Sequence, residues 1–378
     1  MTRQKKSFAV VALLLVLCLL FTACGNKAEE EASDPAESET TEAPETTGTE
    51  ENEAEEDANA GSEIAAGLEA SEEDPIQMAF VIPYELDSLP WLLEFCEEIP
   101  AYDEAHPEVE MTIVEALEAD KYEPLCRSFC EDGYEMIFAF YNNFTETVKT
   151  LSAEFPDVLW FAFDGYYSDE QLAEIPTIID FHEDLAYAYA VGACAAMMTE
   201  TNKIAMVYGA DISFNMELAG VFQDGVYSVN PDIEITNVIA NTYVDPQVGY
   251  ETGKSLATQG YDVIFANAGT TENGLIQACH EAGIYYAADS ASYVDGEYGD
   301  CQIATRRAHV NTMHIDMAEA ALTGDFVGGT CYEMPVGSGT ALEINEDVVP
   351  AEIVEQLKEI QAKLESGEIV PNKVPAVW

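Results

Sequence analysis

Residues 260–290 read GYDVIFANAGTTENGLIQACHEAGIYYAADS, and the order of apolar and polar residues in that stretch decides the fold. The run 262–266 is short, apolar and bounded by turn residues, as a buried strand is. Residues 271–282 carry apolar side chains at helical spacing, and 284–287 return to a strand. A strand, a helix and a second strand in one unbroken stretch make a βαβ unit, whose strands lie parallel.

The alternation continues outward. Upstream it predicts strands at 78–83, 110–114, 135–140, 158–163, 203–208 and 235–240, with helices at 89–99, 122–132, 144–155, 214–229 and 246–259. Downstream come a strand at 302–304 and helices at 310–323 and 350–366. A long, Ala-rich helix at 184–199 divides the pattern into two runs. Repeated βα units imply parallel sheets covered by helices on both faces. The predicted fold class is therefore α/β, with two doubly wound Rossmann-like lobes and more than one chain crossing. Lobe one takes 76–183 and 301–325; lobe two takes 184–300 and part of 326–378. Ligands of open parallel sheets bind beyond the carboxyl ends of the strands. The loops at 84–90, 141–144, 164–167, 209–215, 267–273 and 289–293 are thus the candidate binding loops. Several combine a carboxylate, an amide and an aromatic ring, which suits a polar, ring-shaped ligand.

The N-terminus says where such a protein works. Arg3, Lys5 and Lys6 precede an apolar run from Phe8 to Leu20, which ends in Phe21-Thr22-Ala23-Cys24-Gly25. A positive start, a short apolar core and small residues before the cut make a secretory signal, expected at 1–23. The run is shorter than the roughly 20 residues a transmembrane helix needs. Leu20 to Cys24 resembles a bacterial lipobox, which implies diacylation of Cys24 (the palmitate-type anchor) and a mature chain held at the extracytoplasmic face of the cell membrane. From Gly25 to Pro75 the chain has no aromatic residue and only one base, Lys27. Such a segment cannot bury enough apolar surface to offset its ordering entropy, so 24–75 is expected to be an acidic, disordered tether.

The formal net charge is −58, and Asp and Glu dominate throughout. That surface repels phosphate backbones and excludes nucleic acid as a partner. Cys96, Cys126, Cys130, Cys194, Cys279, Cys301 and Cys331 lie beyond Cys24; their odd number forbids complete pairing within one molecule. No spacing of Cys and His matches a zinc set, and no cofactor motif, HExxH, GxSxG or P-loop occurs. The chain reads as a binding protein with no cofactor. An exported nucleoside- or sugar-directed hydrolase remains the contrasting class, with Asp87, Glu146, Asp164 and Asp289 as its possible carboxylates. A ligand-presenting sensor for a membrane receptor is a third.

The middle of the chain resembles the basic membrane protein (BMP) family, the purine-nucleoside-binding lipoproteins of ABC importers. The likeness runs through Glu135-Met136-Ile137-Phe138, Glu154-Phe155-Pro156-Asp157-Val158, Phe163-Asp164-Gly165, Asn202-Lys203-Ile204-Ala205, Phe222-Gln223-Asp224-Gly225-Val226, Val229-Asn230-Pro231-Asp232, Gly260 to Ala266, Ala268-Gly269 and Ala288-Asp289-Ser290. It implies the two-lobed fold of type 1 periplasmic-binding proteins and, as partners, a permease and an ATPase. It also implies a nucleoside-like ligand between the lobes. Asp289 then corresponds to the family's ribose-binding Asp, Gly269 to its loop Gly and Glu146 to an acidic residue that is Asp in the family. Arg306 or Arg307 stands where the family has Lys. The family's first-strand motif is echoed by Asp87-Ser88-Leu89-Pro90-Trp91, with Trp91 as a stacking ring. Its second stacking aromatic falls at Leu218, with Phe214 the nearest substitute. Trp91, Phe144 and Phe214 are the expected stacking faces, and Asn142 and Asn215 supply further polar contacts.

Overall fold

Alternate side chains of the central strands enter different cores, and that property organises the molecule. The computed structural model describes residues 68, 70–324 and 327–378. The expected signal peptide, Cys24 and the tether up to residue 67 lie outside the described residues.

The strands are β1 (Ile76–Ile82), β2 (Val109–Glu115), β3 (Met136–Phe140), β4 (Leu159–Phe163), β5 (Ile178–His182), β6 (Lys203–Tyr208), β7 (Glu234–Ile239), β8 (Val263–Asn267), β9 (Tyr285–Ser290), β10 (Gln302–Ala308), β11 (Thr330–Glu333) and β12 (Thr340–Ile344). They form two six-stranded sheets, ordered β2-β1-β3-β4-β5-β11 and β7-β6-β8-β9-β10-β12. Every pairing is parallel except that of β12 with β10. In the first sheet Met78, Phe80 and Ile82 enter one core while Ala79 and Val81 enter another on the opposite face. The second sheet divides its strands likewise, Ile204, Met206 and Tyr208 against Ala205 and Val207. A sheet buried on both faces needs strands that are apolar throughout, which is why they were visible in the sequence. Phe80, Phe138 and Phe161 stand in register on β1, β3 and β4 and stack at 4.6 and 4.4 Å. Such cross-strand aromatic pairs fix the sheet's register.

Ten helices are described: α1 (Pro90–Ala105), α2 (Ala119–Asp132), α3 (Thr145–Glu154), α4 (Asp169–Glu174), α5 (Ala186–Met198), α6 (Ser213–Val229), α7 (Pro246–Thr258), α8 (Glu272–Ala282), α9 (Val310–Thr323) and α10 (Ala351–Glu365). Helix α5 is buried almost all round, and it meets α6 backbone to backbone. A Cβ on Gly192 would lie 2.1 Å from the Phe222 carbonyl oxygen, and one on Gly225 2.0 Å from that of Tyr189. Only glycine permits this crossing.

The chain passes between the sheets after β5, between β10 and α9, and between β11 and β12. Two boundaries differ from expectation. Residues 301–325 are split: β10 joins the second sheet through β9, whereas Met313, Met317 and Ala321 of α9 pack in the first sheet's core. Packing on that same core also reaches upstream of residue 76, to Leu68 and Ala70. Helix α10 packs with the second sheet through Val354, Leu357 and Leu364.

Candidate ligand-binding cleft

The carboxyl ends of both sheets open onto one cavity of about 310 Å³. That is the lower end of the range for small-molecule pockets, about 300–1,000 Å³. The first sheet sends Tyr84 and Trp91 from beyond β1, Tyr141 and Asn142 from beyond β3, Asp164 and Tyr166 from beyond β4, and Glu183 from beyond β5. The second contributes Phe214, Tyr243, Gly269 and Glu272, then Asp289, Ser290 and Tyr293 at and beyond the end of β9.

Backbone strain gathers here. Tyr141, Asp164, Tyr166 and Ser290 all have φ between 48° and 65°, a region non-glycine residues seldom adopt. Each sits where a strand gives way to a cavity loop, and these four are the cavity-lining ones among the six non-glycine residues of positive φ in the described residues. Gly269 (φ 56°) lies where a Cβ would come within 2.6 Å of the Tyr243 carbonyl oxygen and 2.7 Å of Leu89.

A buried ion network backs the cleft. Arg306, inaccessible on β10, donates from Nε to Asp289 Oδ1 (2.6 Å) and from Nη2 to Oδ2 (2.9 Å), a bidentate pair. Its Nη1 donates to Glu183 Oε2 (2.7 Å) and to the Asp184 carbonyl (2.9 Å). Burial works against the guanidinium charge, but Asp289 and Glu183 outweigh it and hold Arg306 charged. Asp289 Oδ2 also accepts from Ser290 Oγ (2.8 Å) and Asn267 Nδ2 (3.3 Å), which leaves Oδ1 the freer oxygen.

Three carboxyls here keep their protons more tightly than usual, Glu183 among them through burial that Arg306 only partly offsets. Asp164 is raised well above the carboxylate range by burial and then by the charge of Glu183. Its Oδ1 accepts from the Glu183 amide at 3.2 Å, while Oδ2 is buried without a partner. Burial pushes Glu272 up to about 8, although Tyr286 Oη (2.6 Å) and the Ala268 amide (2.7 Å) both donate to it. The site is therefore one guanidinium shared by Asp289 and Glu183 and flanked by Asp164 and Glu272, two carboxyls that burial makes harder to ionise, within aromatic walls. It can stack a planar ring and exchange hydrogen bonds with hydroxyl, amide or amine groups. It offers no counter-charge to a phosphate.

The raised Glu272 carries a stability signature. Its extra stability is fully present below the ordinary glutamate value of 4.5 and is lost as pH rises through about 8, each unit costing about 1.4 kcal/mol. Glu272→Gln keeps the bond from the Ala268 amide, reverses the other so that Nε2 donates to Tyr286 Oη, and removes the titration. The wild-type Tm minus that of Glu272→Gln should fall between pH 4.5 and 8 and level off above; a flat difference would remove the assignment.

The residues expected from sequence divide. Trp91, Phe214, Gly269 and Asp289, and also Asn142, line the cavity. Arg306 stands directly behind Asp289, with Phe214 6.0 Å from its guanidinium. Arg307 instead reaches Glu94 of α1. Three expectations are corrected. Phe144 is fully buried and packs on Tyr122 at 4.4 Å, because the 3-10 turn Asn142–Phe144 rotates its ring into the opposite core. Glu146 lies on the exposed side of α3. Asn215 is buried beneath the cavity, donating to Tyr243 Oη at 3.0 Å and to the Ala210 carbonyl at 2.8 Å, so it orients a wall ring. Tyr84, Tyr141, Tyr166, Tyr243, Glu183 and Glu272 line the cavity without having been expected as site residues. Their available signal was position, at or soon after the end of an apolar strand.

Comparison with known proteins places this geometry. A family model described as ABC transporter substrate-binding protein PnrA-like (Bmp) matches residues 76–369. The chain is similar to a CD4+ T-cell-stimulating antigen of Listeria monocytogenes, 25% identical over 275 residues, with 68% of this chain and 76% of that protein covered. It is similar to a purine-binding protein of Brucella abortus, 24% identical over 268 residues (71% and 74% covered). Among solved structures, an ABC transporter solute-binding protein of Conexibacter woesei superposes with a TM-score of 0.61 at 22% identity, over 79% of this chain and 99% of that one. The likeness in structure is one of fold, two mostly parallel α/β sheets of the periplasmic-binding type.

Proposed function

The chain belongs to the Bmp family of PnrA-like ABC transporter substrate-binding proteins, and from that premise we propose that it is a lipid-anchored extracytoplasmic receptor that captures a nucleoside for an importer. The observation that carries the ligand is the pairing of aromatic walls with carboxyls of both lobes, Asp164 from the first and Asp289 from the second. A base stacks between rings such as Trp91 and Phe214, a contact worth about 1–3 kcal/mol. Asp289 Oδ1 accepts from a ribose hydroxyl, and Asp164 Oδ2 meets a polar group of the base. Both lobes hold the ligand, so closure of the cleft about the three crossings buries it and creates the surface that a permease and its ATPase engage. No bond of the ligand is broken: the carboxyls are either tied to Arg306 or committed as hydrogen-bonding groups, so the role is binding and not catalysis. The purine-binding Brucella relative supports the same ligand class.

Calorimetry against nucleosides, their 5′-monophosphates, sugars and amino acids tests this. A nucleoside should bind tightly, and at 100 times its Kd it should add about 2.7 kcal/mol of stability. The monophosphate should fail for want of a cation. Binding of an amino acid with no response to nucleosides would discard the ligand. The anchor is tested separately: Cys24→Ala should leave an unprocessed precursor that takes up no labelled acyl chain, and an unlabelled wild-type protein free in the medium would refute it.

A further inference from the structure

We propose that the face of the first sheet built by β5 and β11 holds a divalent metal ion of the zinc class, with Asp180, His182 and Cys331 as ligands. The register pairs Cys331 with Asp180 and Glu333 with His182 on neighbouring parallel strands. Residues two apart on a strand share a face. Asp-x-His on β5 and Cys-x-Glu on β11 therefore set four donors on one side of the sheet. Those two tripeptide frames are separated by most of the second lobe in sequence, which is why no motif announced them.

The distances suit a metal. One ligand atom from each of Asp180, His182 and Cys331 lies within 4.8 Å of the others. His182 Nε2 is 3.1 Å from Asp180 Oδ2, and Cys331 Sγ is 3.7 and 3.9 Å from the two ring nitrogens. With bonds of about 2.0–2.3 Å, the donors of a tetrahedral zinc site stand roughly 3.3–3.7 Å apart, so only small rotations close the set. Glu333 Oε1, 3.3 Å from His182 Nδ1, is placed to orient the imidazole or to complete the shell; Lys373 engages its other oxygen at 2.7 Å. A thiolate, an imidazole and a carboxylate together select a borderline metal over calcium or magnesium, which take oxygen alone.

The ligands are held before any metal arrives. Asp180 accepts from the Gly165 amide (2.9 Å) and the Tyr167 amide (2.8 Å), and the His182 ring stacks on Tyr166 at 4.6 Å. Cys331 is exposed, so the site is open to solvent. The loop tied down by Asp180 is the one that presents Asp164 and Tyr166 to the cleft, which puts the metal behind a wall of the ligand cavity.

Cobalt(II) added to the reduced, metal-free full chain is the probe. One equivalent should produce a near-ultraviolet thiolate-to-cobalt band with visible tetrahedral bands, and one equivalent of zinc should displace it. Cys331→Ser, a change at an exposed edge position, should abolish the thiolate band while the far-ultraviolet circular dichroism stays that of the wild type. Glu333→Gln should weaken cobalt binding by about 10–100-fold, as loss of an orienting partner does. Absence of the thiolate band, or its persistence in Cys331→Ser, would overturn the site. Weak octahedral spectra alone would equally do so, since they report carboxylates elsewhere in this acidic chain.

Discussion

Arg306→Met is expected to cost about 3–5 kcal/mol of folding stability, the usual result of removing one partner from a buried ion cluster. The side chain is wholly inaccessible and bonds three groups: both oxygens of Asp289, one of Glu183 and the Asp184 carbonyl. Its loss strands two carboxyls in a dry interior, and it cuts a tie between β10 of the second sheet and the chain leaving β5 of the first. Arg306→Lys should recover only part, because an ammonium cannot reproduce the two-pronged contact with Asp289. The deficit should shrink on acidification, when protons can neutralise the stranded carboxylates. Adding Asp289→Asn to Arg306→Met should restore part of the loss, a coupling that a double-mutant cycle reads directly. Denaturation midpoints at constant m provide the measurement. A loss below about 1 kcal/mol would mean that solvent reaches the cluster, as it does at surface pairs.

The network also marks how far the sequence could be read. Strands buried on two faces must be apolar from end to end, so β1, β3, β4, β6 and β8 stood out, and with them the α/β class and two runs of βα units. Strands β5, β11 and β12 did not. Ile178–His182 ends in Asp, Phe and His because its polar side chains serve the loop at 165–167 and the neighbouring β11. Thr330–Glu333 is largely exposed and lies at the edge of its sheet, where no pattern of burial is imposed.

For the cleft, position was legible and direction was not. Phe144 and Trp91 both begin helices after strands, yet only Trp91 meets the cavity. The difference is one short turn, Asn142–Phe144, entered through the positive φ of Tyr141. Glu183 carried a readable clue: His182-Glu183-Asp184 is a run of three polar residues directly before an Ala-rich helix. Charges retained in such a place have partners, here Arg306.

Asp164→Asn should lower affinity for the bound solute by about 10–100-fold while leaving the unliganded protein as stable as wild type, or more so. The two halves of that expectation come from one atom. Asp164 Oδ2 is buried with no partner, and burial together with the charge of Glu183 holds its carboxyl far above the usual range. An unmatched polar atom in that position costs the empty protein stability, and a ligand group can satisfy it. Asparagine removes the ionisable group, keeps the shape, retains an oxygen for the Glu183 amide and tolerates the left-handed φ of 48° better than most residues. What it cannot keep is a second oxygen, because the amide can put its oxygen in the place of Oδ2 only by breaking the bond to the Glu183 amide. Leaving the buried ligand group without its partner costs about 1–3 kcal/mol, which sets the expected range. Calorimetry with the solute found for the wild type, beside melting of the empty variant, separates the two effects. Unchanged affinity would place Asp164 outside the contacts that select the ligand. Loss of both affinity and stability would make it a structural group of the loop at 164–167, and the cleft would then be read through Asp289 alone.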